Sequence, residues 1–137
     1  MARTFVGLAM SSTMFAGEVL LVRLPISASR AKRLVEDEEC VSCANPSHSA
    51  TVDALREKFG ISIPIPETAP KVTLESGDTL IVLSARFSRR LAEGERFSAE
   101  EIAAATIEFV AYAVVDPEAI SEAARDEIRA KLPECLR

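Results

Sequence analysis

Short apolar runs and amphipathic stretches follow one another along the 137-residue chain. Runs rich in β-branched residues are typical of strands, whereas apolar residues spaced by three or four positions predict helices. The pattern predicts strands over residues 4–10, 18–24, 40–44, 79–85 and 106–115. It predicts helices over residues 27–38, 49–59, 99–105 and 118–132.

Residues 79–83 (TLIVL) form the most continuous apolar run among the predicted strands. A strand of this kind is buried on both faces, so we expect it at the centre of the sheet. Residues 72–74 precede it across a turn, and we expect them either to pair with it as a hairpin or to extend it as one interrupted strand. Residues 61–70 contain three prolines and predict an extended loop.

Residues that cap helices mark the predicted helix boundaries. Side chains that accept hydrogen bonds precede each amphipathic stretch, and Gly60 follows the second one in the C′ position. The expected N-terminal caps are Ser27 or Ser29, Ser47 or Ser49, Ser98 with Glu101 as a capping box, and Asp116 followed by Pro117. The residues expected on the buried face of the first helix are Ala28, Ala31, Leu34 and Val35.

Interleaved strands and helices predict an α/β fold in which helices flank one small mixed β-sheet. A chain of this length usually forms one domain, and 48% hydrophobic residues suffice to fill its core. We expect an α/β domain over residues 1–115 and a C-terminal helical extension over residues 116–137.

Charge and composition exclude some classes of function. The formal net charge is −5 and aromatic residues make up 5% of the chain, so stable DNA binding and a base-stacking platform for single strands are not expected. The apolar runs are too short to span a bilayer and the N-terminus does not resemble a signal peptide. We therefore expect a cytoplasmic protein that does not associate with a membrane.

Three cysteines raise the possibility of a metal site. Cys40-x-x-Cys43, with His48 and Cys135 as further ligands, would satisfy tetrahedral zinc. If residues 40–43 form a strand, however, the two thiols point to opposite faces. We therefore favour free thiols and expect neither a metal nor another cofactor.

His48 is the single histidine of the chain and lies just before a predicted helix, between Ser47 and Ser49. A helix N-terminus attracts phosphate, and an imidazole at that position can donate a proton to the leaving group of a phosphate ester. The alternative is a surface or capping histidine, which is the simpler interpretation of a lone residue.

Arginines cluster after the predicted central strand, at Arg86, Arg89 and Arg90, with Glu93 close behind. Guanidinium groups suit phosphate oxygens and the charge of a phosphoryl transition state. The alternative is a solvated charged loop. No glycine-rich phosphate loop, GxSxG elbow or HExxH motif is present.

Taken together, several segments resemble the viral type III anti-CRISPR ring nuclease family. They are TFVGLAMSSTMF, NPSHSATVDALREKFGISIP, KVTLESGDTLIV, RRLAEGERFSAEEI and IEFVAYAVV, in this order over roughly residues 4–115. The most specific pieces are the His-Ser-Ala-Thr segment before a helix and the Arg-Leu-x-Glu-Gly segment. Leu8 and Thr13 stand where that family often has asparagine, and Ser47 stands where it usually has glycine.

The resemblance implies a homodimer that binds cyclic oligoadenylate, chiefly cyclic tetra-adenylate, at its interface. It implies metal-independent cleavage to linear products with a 2′,3′-cyclic phosphate, which switches off type III CRISPR signalling. By position, His48 matches the catalytic histidine, Arg90 the active-site arginine and Glu93 the active-site glutamate. The residues expected to contact the ligand are Ser11, Thr13, Ser47, Ser49, Arg86 and Arg89.

Two alternatives remain at this point. One is a non-catalytic binder of the same messenger, a sponge or a sensor, and the other is a small nucleic-acid-binding regulator. The set of His48, Arg90 and Glu93 favours the enzyme, because a pure binder needs no proton donor. If the protein is viral, its expected location is the host cytoplasm.

Overall fold

Five strands form one sheet in this computed structural model, which describes residues 2–92 and 94–137. In chain order the strands are β1 (Thr4–Gly7), β2 (Leu20–Pro25), β3 (Val41–Ser42), β4 (Thr79–Arg86) and β5 (Thr106–Val115). The α-helices within the described ranges are α1 (Ala28–Val35), α2 (Ser49–Phe59), α3 (Ala99–Ala104) and α4 (Glu122–Ala130). None of these helices combines the length and the apolar character needed to cross a membrane.

The sheet mixes parallel and antiparallel pairs in the order β2-β5-β4-β1-β3. β1 lies parallel to both β3 and β4, whereas β5 lies antiparallel to β4 and to β2. The predicted mixed sheet flanked by helices is therefore confirmed. β4 is the middle strand and its residues 80–83 are buried, as the continuous apolar run predicts.

Hydrophobic residues pack on both faces of the sheet. On one face, Val6, Ile81 and Leu83 join buried residues of α1 and α2 in the larger cluster. On the other face, Phe5, Leu80 and Val82 pack beneath irregular chain segments that include Met14, Phe15 and Leu74. The alternation of side chains along β1 and β4 separates the two clusters, because successive residues of a strand point to opposite faces.

Asp78 ties the start of β1 to the start of β4. This carboxylate is 1% exposed and accepts hydrogen bonds from the backbone N–H of Arg3 (3.0 Å) and of Glu75 (2.8 Å). The Arg3 guanidinium adds contacts through Nη2 at 2.6 Å and Nε at 3.3 Å. Burial disfavours the charged form of Asp78, but these donors outweigh it and hold the pKa of Asp78 below its ordinary value.

Several predicted boundaries are wrong by a few residues. β1 ends at Gly7, β2 begins at Leu20 and β3 spans two residues. Residues 72–74 do not pair with β4 as a hairpin; Leu74 instead donates its backbone N–H to Met14 O at 2.7 Å. The predicted last helix is divided into the 3₁₀ turn Pro117–Ala119, which Asp116 caps, and α4.

Some of the predicted helix caps are confirmed and others are wrong. Ser27 caps α1, Ser98 and Glu101 form the capping box of α3, and Gly60 closes α2 with a left-handed φ of 67°. Neither Ser47 nor Ser49 is the N-cap of α2: a 3₁₀ turn precedes the helix, and the capping side chain belongs to Asn45 at the start of that turn. Leu34, predicted on the buried face of α1, is 37% exposed.

Candidate active site

Three neighbouring parallel strands carry the predicted site residues at or beyond their carboxyl ends. β1, β3 and β4 lie side by side, and the carboxyl ends of parallel strands face the same edge of a sheet, where ligands commonly bind. Ser11 and Thr13 follow β1, Ser47 to Ser49 follow β3, and Arg86, Arg89 and Arg90 end or follow β4. β4 continues four residues past Val82, its last partner on β1, and so extends roughly 13 Å beyond that strand.

His48 is held by a compact turn between β3 and α2. The turn Pro46–His48 is a 3₁₀ helix, and the Asn45 carboxamide oxygen accepts the Ser47 N–H at 2.9 Å. The His48 backbone N–H donates to Asn45 O at 2.9 Å. Pro46 favours this conformation because its fixed φ suits the first position of a helical turn. The imidazole is half-buried directly before the first turn of α2.

A hydrogen bond to Asn45 determines the tautomer of His48. The backbone N–H of Asn45 donates to His48 Nδ1 at 3.3 Å, so Nδ1 is the acceptor and the proton of the neutral ring is on Nε2. With Nδ1 accepting from Asn45, Nε2 is the ring nitrogen that is left to donate to a ligand.

The chain beyond β4 returns to α2. Arg96 Nη1 lies 3.7 Å from Asp53 Oδ2, and Asp53 lies on α2, five residues after His48. Five residues of α-helix correspond to about 7.5 Å along the axis. Lys58, near the end of α2, donates to the backbone oxygens of Ala103 and Ala105. α2 therefore connects the His48 turn to the arginine-rich loop.

Arg89 pairs with carboxylates of its own segment. Its Nε donates to Glu101 Oε2 at 2.6 Å and its Nη1 donates to Glu95 Oε2 at 2.7 Å. Glu95 also accepts the Ala92 N–H at 3.2 Å. The structure thus places Arg89, predicted as a ligand contact, in a network of ion pairs within its own segment, although its side chain is 42% exposed. Arg86 and Arg90 are exposed as well. Glu93, the predicted active-site glutamate, lies outside the described residues.

Two phenylalanines close the base of this loop. The rings of Phe87 and Phe97 stack with centroids 3.7 Å apart and planes 9° from parallel. Phe87 directly follows β4, and Phe97 directly precedes the Ser98 cap of α3. Residues 87–97, here named the arginine loop, are therefore joined at both ends and cross-linked inside by Arg89.

Ser11 and Thr13, which were predicted to contact the ligand, follow β1 where the chain crosses to the other face of the sheet. The hydroxyls of Ser11 and Thr13 are 2.9 Å apart, and Met14 next to them packs in the cluster opposite α2. Thr13 lines a surface cleft with Lys71 and Thr73. Leu8 packs against the larger cluster, so it occupies a core position. The structure thus joins His48 to the arginine loop through α2, and the polar turn after β1 leads away onto the opposite face.

The remaining predicted contacts flank His48. The Ser47 hydroxyl hydrogen-bonds to the Asn45 carboxamide oxygen, and Ser49 is exposed in the first turn of α2. Sequence analysis missed Asn45 as the residue that orients His48. An Asn that directly precedes Pro at the start of a turn commonly accepts the N–H two residues on, so the part of the Asn45 side chain in forming the turn was detectable.

The cysteines are separated by the sheet. Cys40 packs with the larger cluster and Cys43 with the smaller one on the opposite face, as the strand argument predicts. Across residues 2–92 and 94–137, no group of three or more His, Cys, Asp or Glu side chains is placed to hold a metal ion. Burial, with smaller contributions from Asp37 and Cys43, raises the pKa of Cys40 to about 11, and burial raises the pKa of Cys43.

We expect one fast and two slow thiols in a titration of the folded protein with a chromogenic disulfide at pH 8. The thiolate is the attacking species, so Cys40 and Cys43 react slowly, whereas Cys135 is exposed. Cys135→Ser should remove the fast phase, and unfolding in denaturant should make all remaining thiols fast. Three fast thiols in the folded protein would contradict the placement of Cys40 and Cys43.

Comparison with known proteins identifies the family. The sequence model of the STIV B116-like family matches residues 7–110, which include the His48 turn, α2 and the arginine loop. This chain belongs to the STIV B116-like family. No curated protein matches it.

The family assignment agrees with the fold. B116 of Sulfolobus turreted icosahedral virus superimposes with a TM-score of 0.60 at 18% sequence identity. The match covers 80% of this chain and 97% of the viral protein. At this identity the match establishes the fold alone. The STIV B116-like match ends within β5, so α4 lies beyond it.

Proposed function

We propose that this member of the STIV B116-like family is a ring nuclease that cleaves cyclic oligoadenylate, most readily cyclic tetra-adenylate. The observation that carries the proposal is the arrangement around α2. This helix begins at an oriented histidine and contacts an arginine-rich loop through the Arg96–Asp53 pair at 3.7 Å. The same helix start favours a phosphate, because its N–H groups and dipole attract negative charge.

The proposed reaction is an internal transesterification. A ribose 2′-oxygen attacks the adjacent phosphorus, the bond from phosphorus to the 5′-oxygen breaks, and a 2′,3′-cyclic phosphate remains. The attacking hydroxyl gives its proton to solvent water, and the departing 5′-oxygen gains a proton from the enzyme. None of these steps requires a metal ion.

His48 is the proposed general acid. In the proposed reaction the imidazole carries a proton on each ring nitrogen while the phosphate is bound at the start of α2, so the 3.3 Å contact from Asn45 to Nδ1 has opened. Nε2 then delivers its proton to the departing 5′-oxygen and Nδ1 keeps the other. Among the described residues, this long contact is the hydrogen bond that the half-buried ring has to give up.

Arg90 and Glu93 complete the proposed site by resemblance to the ring nucleases. Arg90 is exposed in the arginine loop, and its guanidinium suits the oxygens of a phosphoryl group in the transition state. Glu93 would orient Arg90 or the attacking hydroxyl. A two-fold homodimer would duplicate every contact and so suit a ring with its own rotational symmetry. Acting in the cytoplasm, such an enzyme would end type III CRISPR signalling.

The proposal is tested by incubating the purified protein with cyclic tri-, tetra- and hexa-adenylate in the presence of EDTA. We expect linear products that carry a 2′,3′-cyclic phosphate, formed fastest from the tetra-adenylate, with the protein sedimenting as a dimer. Tight binding without turnover would identify a non-catalytic binder instead. The absence of both binding and cleavage would overturn the proposal, and activity that EDTA abolishes would overturn the metal-independent mechanism.

A further inference from the structure

The arginine loop has an internal cross-link that the proposed chemistry does not use. Arg89 contacts Glu101 through two nitrogens, at 2.6 and 3.2 Å, and Glu95 through a third at 2.7 Å. Glu101 also accepts the Ser98 N–H at 3.0 Å in the capping box of α3. One guanidinium thus fastens the middle of the loop to the first turn of the helix that follows it.

The charges of Arg89, Glu95 and Glu101 compensate one another in this cross-link. The hydrogen bond from Arg89, with help from the Ser98 N–H, lowers the pKa of Glu101 to about 2, and Arg89 likewise lowers the pKa of Glu95. Both carboxylates are therefore ionised at neutral pH, and the three side chains together carry a net charge of −1. Three guanidinium nitrogens of Arg89 already have carboxylate partners, so Arg89 is poorly placed to bind a phosphate as well.

The neighbour of this cross-link is the arginine proposed to act on the phosphate. Arg90 follows Arg89 directly, so a fixed Arg89 restricts the backbone from which the Arg90 side chain projects. The Phe87–Phe97 stack and the Arg96–Asp53 contact hold the rest of the same loop. Together these contacts order a segment whose described residues, 87–92 and 94–97, form no helix or strand.

We propose that Arg89, through Glu95 and Glu101, is a positioning residue that fixes Arg90 for phosphoryl stabilisation, rather than a residue that contacts the ligand. The inference rests on the proposed ring nuclease activity. Misplacing a reacting group by about 1 Å can cost on the order of 100-fold in rate, so loss of the cross-link should act on the chemical step.

Variants that remove the carboxylate partners of Arg89 but keep Arg89 itself distinguish positioning of Arg90 from direct contact with the ligand. Glu95→Gln and Glu101→Gln keep the side-chain shapes, and glutamine at position 101 still completes the capping box. If Arg89 positions Arg90, these variants and Arg89→Ala should all lower the single-turnover rate by about 10- to 100-fold. If Arg89 contacts the ligand, the two glutamine variants should retain or increase the rate, and that result would overturn the proposal.

Binding and coupling measurements complete the test. Affinity is measured in the His48→Ala background, where adding Arg89→Ala should leave the affinity for cyclic tetra-adenylate unchanged. Coupling is measured in the Arg90→Ala background, where adding Arg89→Ala should slow cleavage no further. Additive effects, or a loss of affinity, would overturn the positioning role. The matched control is Arg129→Ala, which removes an exposed arginine paired with Glu18 at 3.0 Å on α4 and should leave cleavage unchanged.

Hydrogen exchange separates failure of this inference from failure of the proposed function. Amide exchange across residues 87–97 should accelerate in Arg89→Ala and in the two glutamine variants, and remain unchanged in Arg129→Ala. Unchanged exchange in all of them overturns the cross-link regardless of activity. The wild-type protein could cleave no cyclic oligoadenylate while exchange in the variants accelerates as expected. That result would overturn the ring nuclease proposal and the role of Arg90, but it would support the conclusion that Arg89 orders the loop.

Discussion

His48→Ala should lower the single-turnover cleavage of cyclic tetra-adenylate by about 10²- to 10⁴-fold while leaving its affinity nearly unchanged. The variant removes the proposed proton donor, so the departing 5′-oxygen must leave without one. Binding depends mainly on the other groups around the phosphate, and the backbone N–H groups at the start of α2 remain. Cleavage under excess protein and equilibrium binding of the same ligand measure the two quantities separately.

A second substitution separates proton transfer from simple hydrogen bonding. His48→Gln retains an N–H donor but cannot deliver a proton, so it should be about as slow as His48→Ala. Added imidazole should restore part of the rate in His48→Ala and none in His48→Gln, because only alanine leaves room for the free base. Wild-type rates in both variants would exclude His48 as the general acid. Both variants should melt close to the wild type, since the ring of the half-buried imidazole makes one long hydrogen bond to the residues that the structure describes.

Asp78→Ala should reduce the free energy of unfolding by about 3 kcal/mol, since it leaves two backbone N–H groups and the Arg3 guanidinium without their acceptor. For a chain of this length, that loss lowers the melting temperature by about 10 °C. Thermal and denaturant unfolding measure it. Glu75→Gln is the matched control, because Glu75 lies in the same turn, is exposed and approaches Arg3 only to 3.9 Å. It should change stability by less than about 0.5 kcal/mol.

The pH dependence of this effect has a definite sign. The folded-state pKa of Asp78 lies below the ordinary value of 3.8, so its stabilising contribution is fully present above that value. The contribution is lost as the pH falls through the lowered folded-state pKa. The stability difference between wild type and Asp78→Asn should therefore stay constant from pH 7 to about pH 5 and shrink below about pH 4. A difference that grows on acidification would contradict the ion pair.

Much of the fold was predictable because local patterns and burial agree. The apolar run at 79–83 identified the central strand, and Gly60, Ser98 and Glu101 marked helix ends through purely local hydrogen bonds. The wrong predictions concern segments whose conformation is determined by tertiary contacts. The segment ending at Leu74 has strand-like residues, yet it packs on Met14 across the sheet face instead of pairing with β4.

The candidate site was predictable in part for the same reason. His48 stood out by its position before an amphipathic helix, but the bond from Asn45 that sets its tautomer depends on the geometry of the turn. Sequence assigned Glu101 a capping role, which is confirmed, and did not reveal its second partner, Arg89. The Asp53–Arg96 pair spans 43 residues and depends on how the arginine loop folds back onto α2, which no local pattern encodes.

The cross-linked arginine loop has an evolutionary consequence. Both carboxylate partners of Arg89 lie within twelve residues of it, and the Phe87–Phe97 stack closes the same segment. The contacts of Arg89 and the phenylalanine stack are thus encoded in one short stretch of sequence, from the end of β4 to the first turn of α3. Such a stretch can be inherited, exchanged or remodelled as one unit, so relatives that share the sheet and α2 can differ in this loop without change elsewhere in the chain.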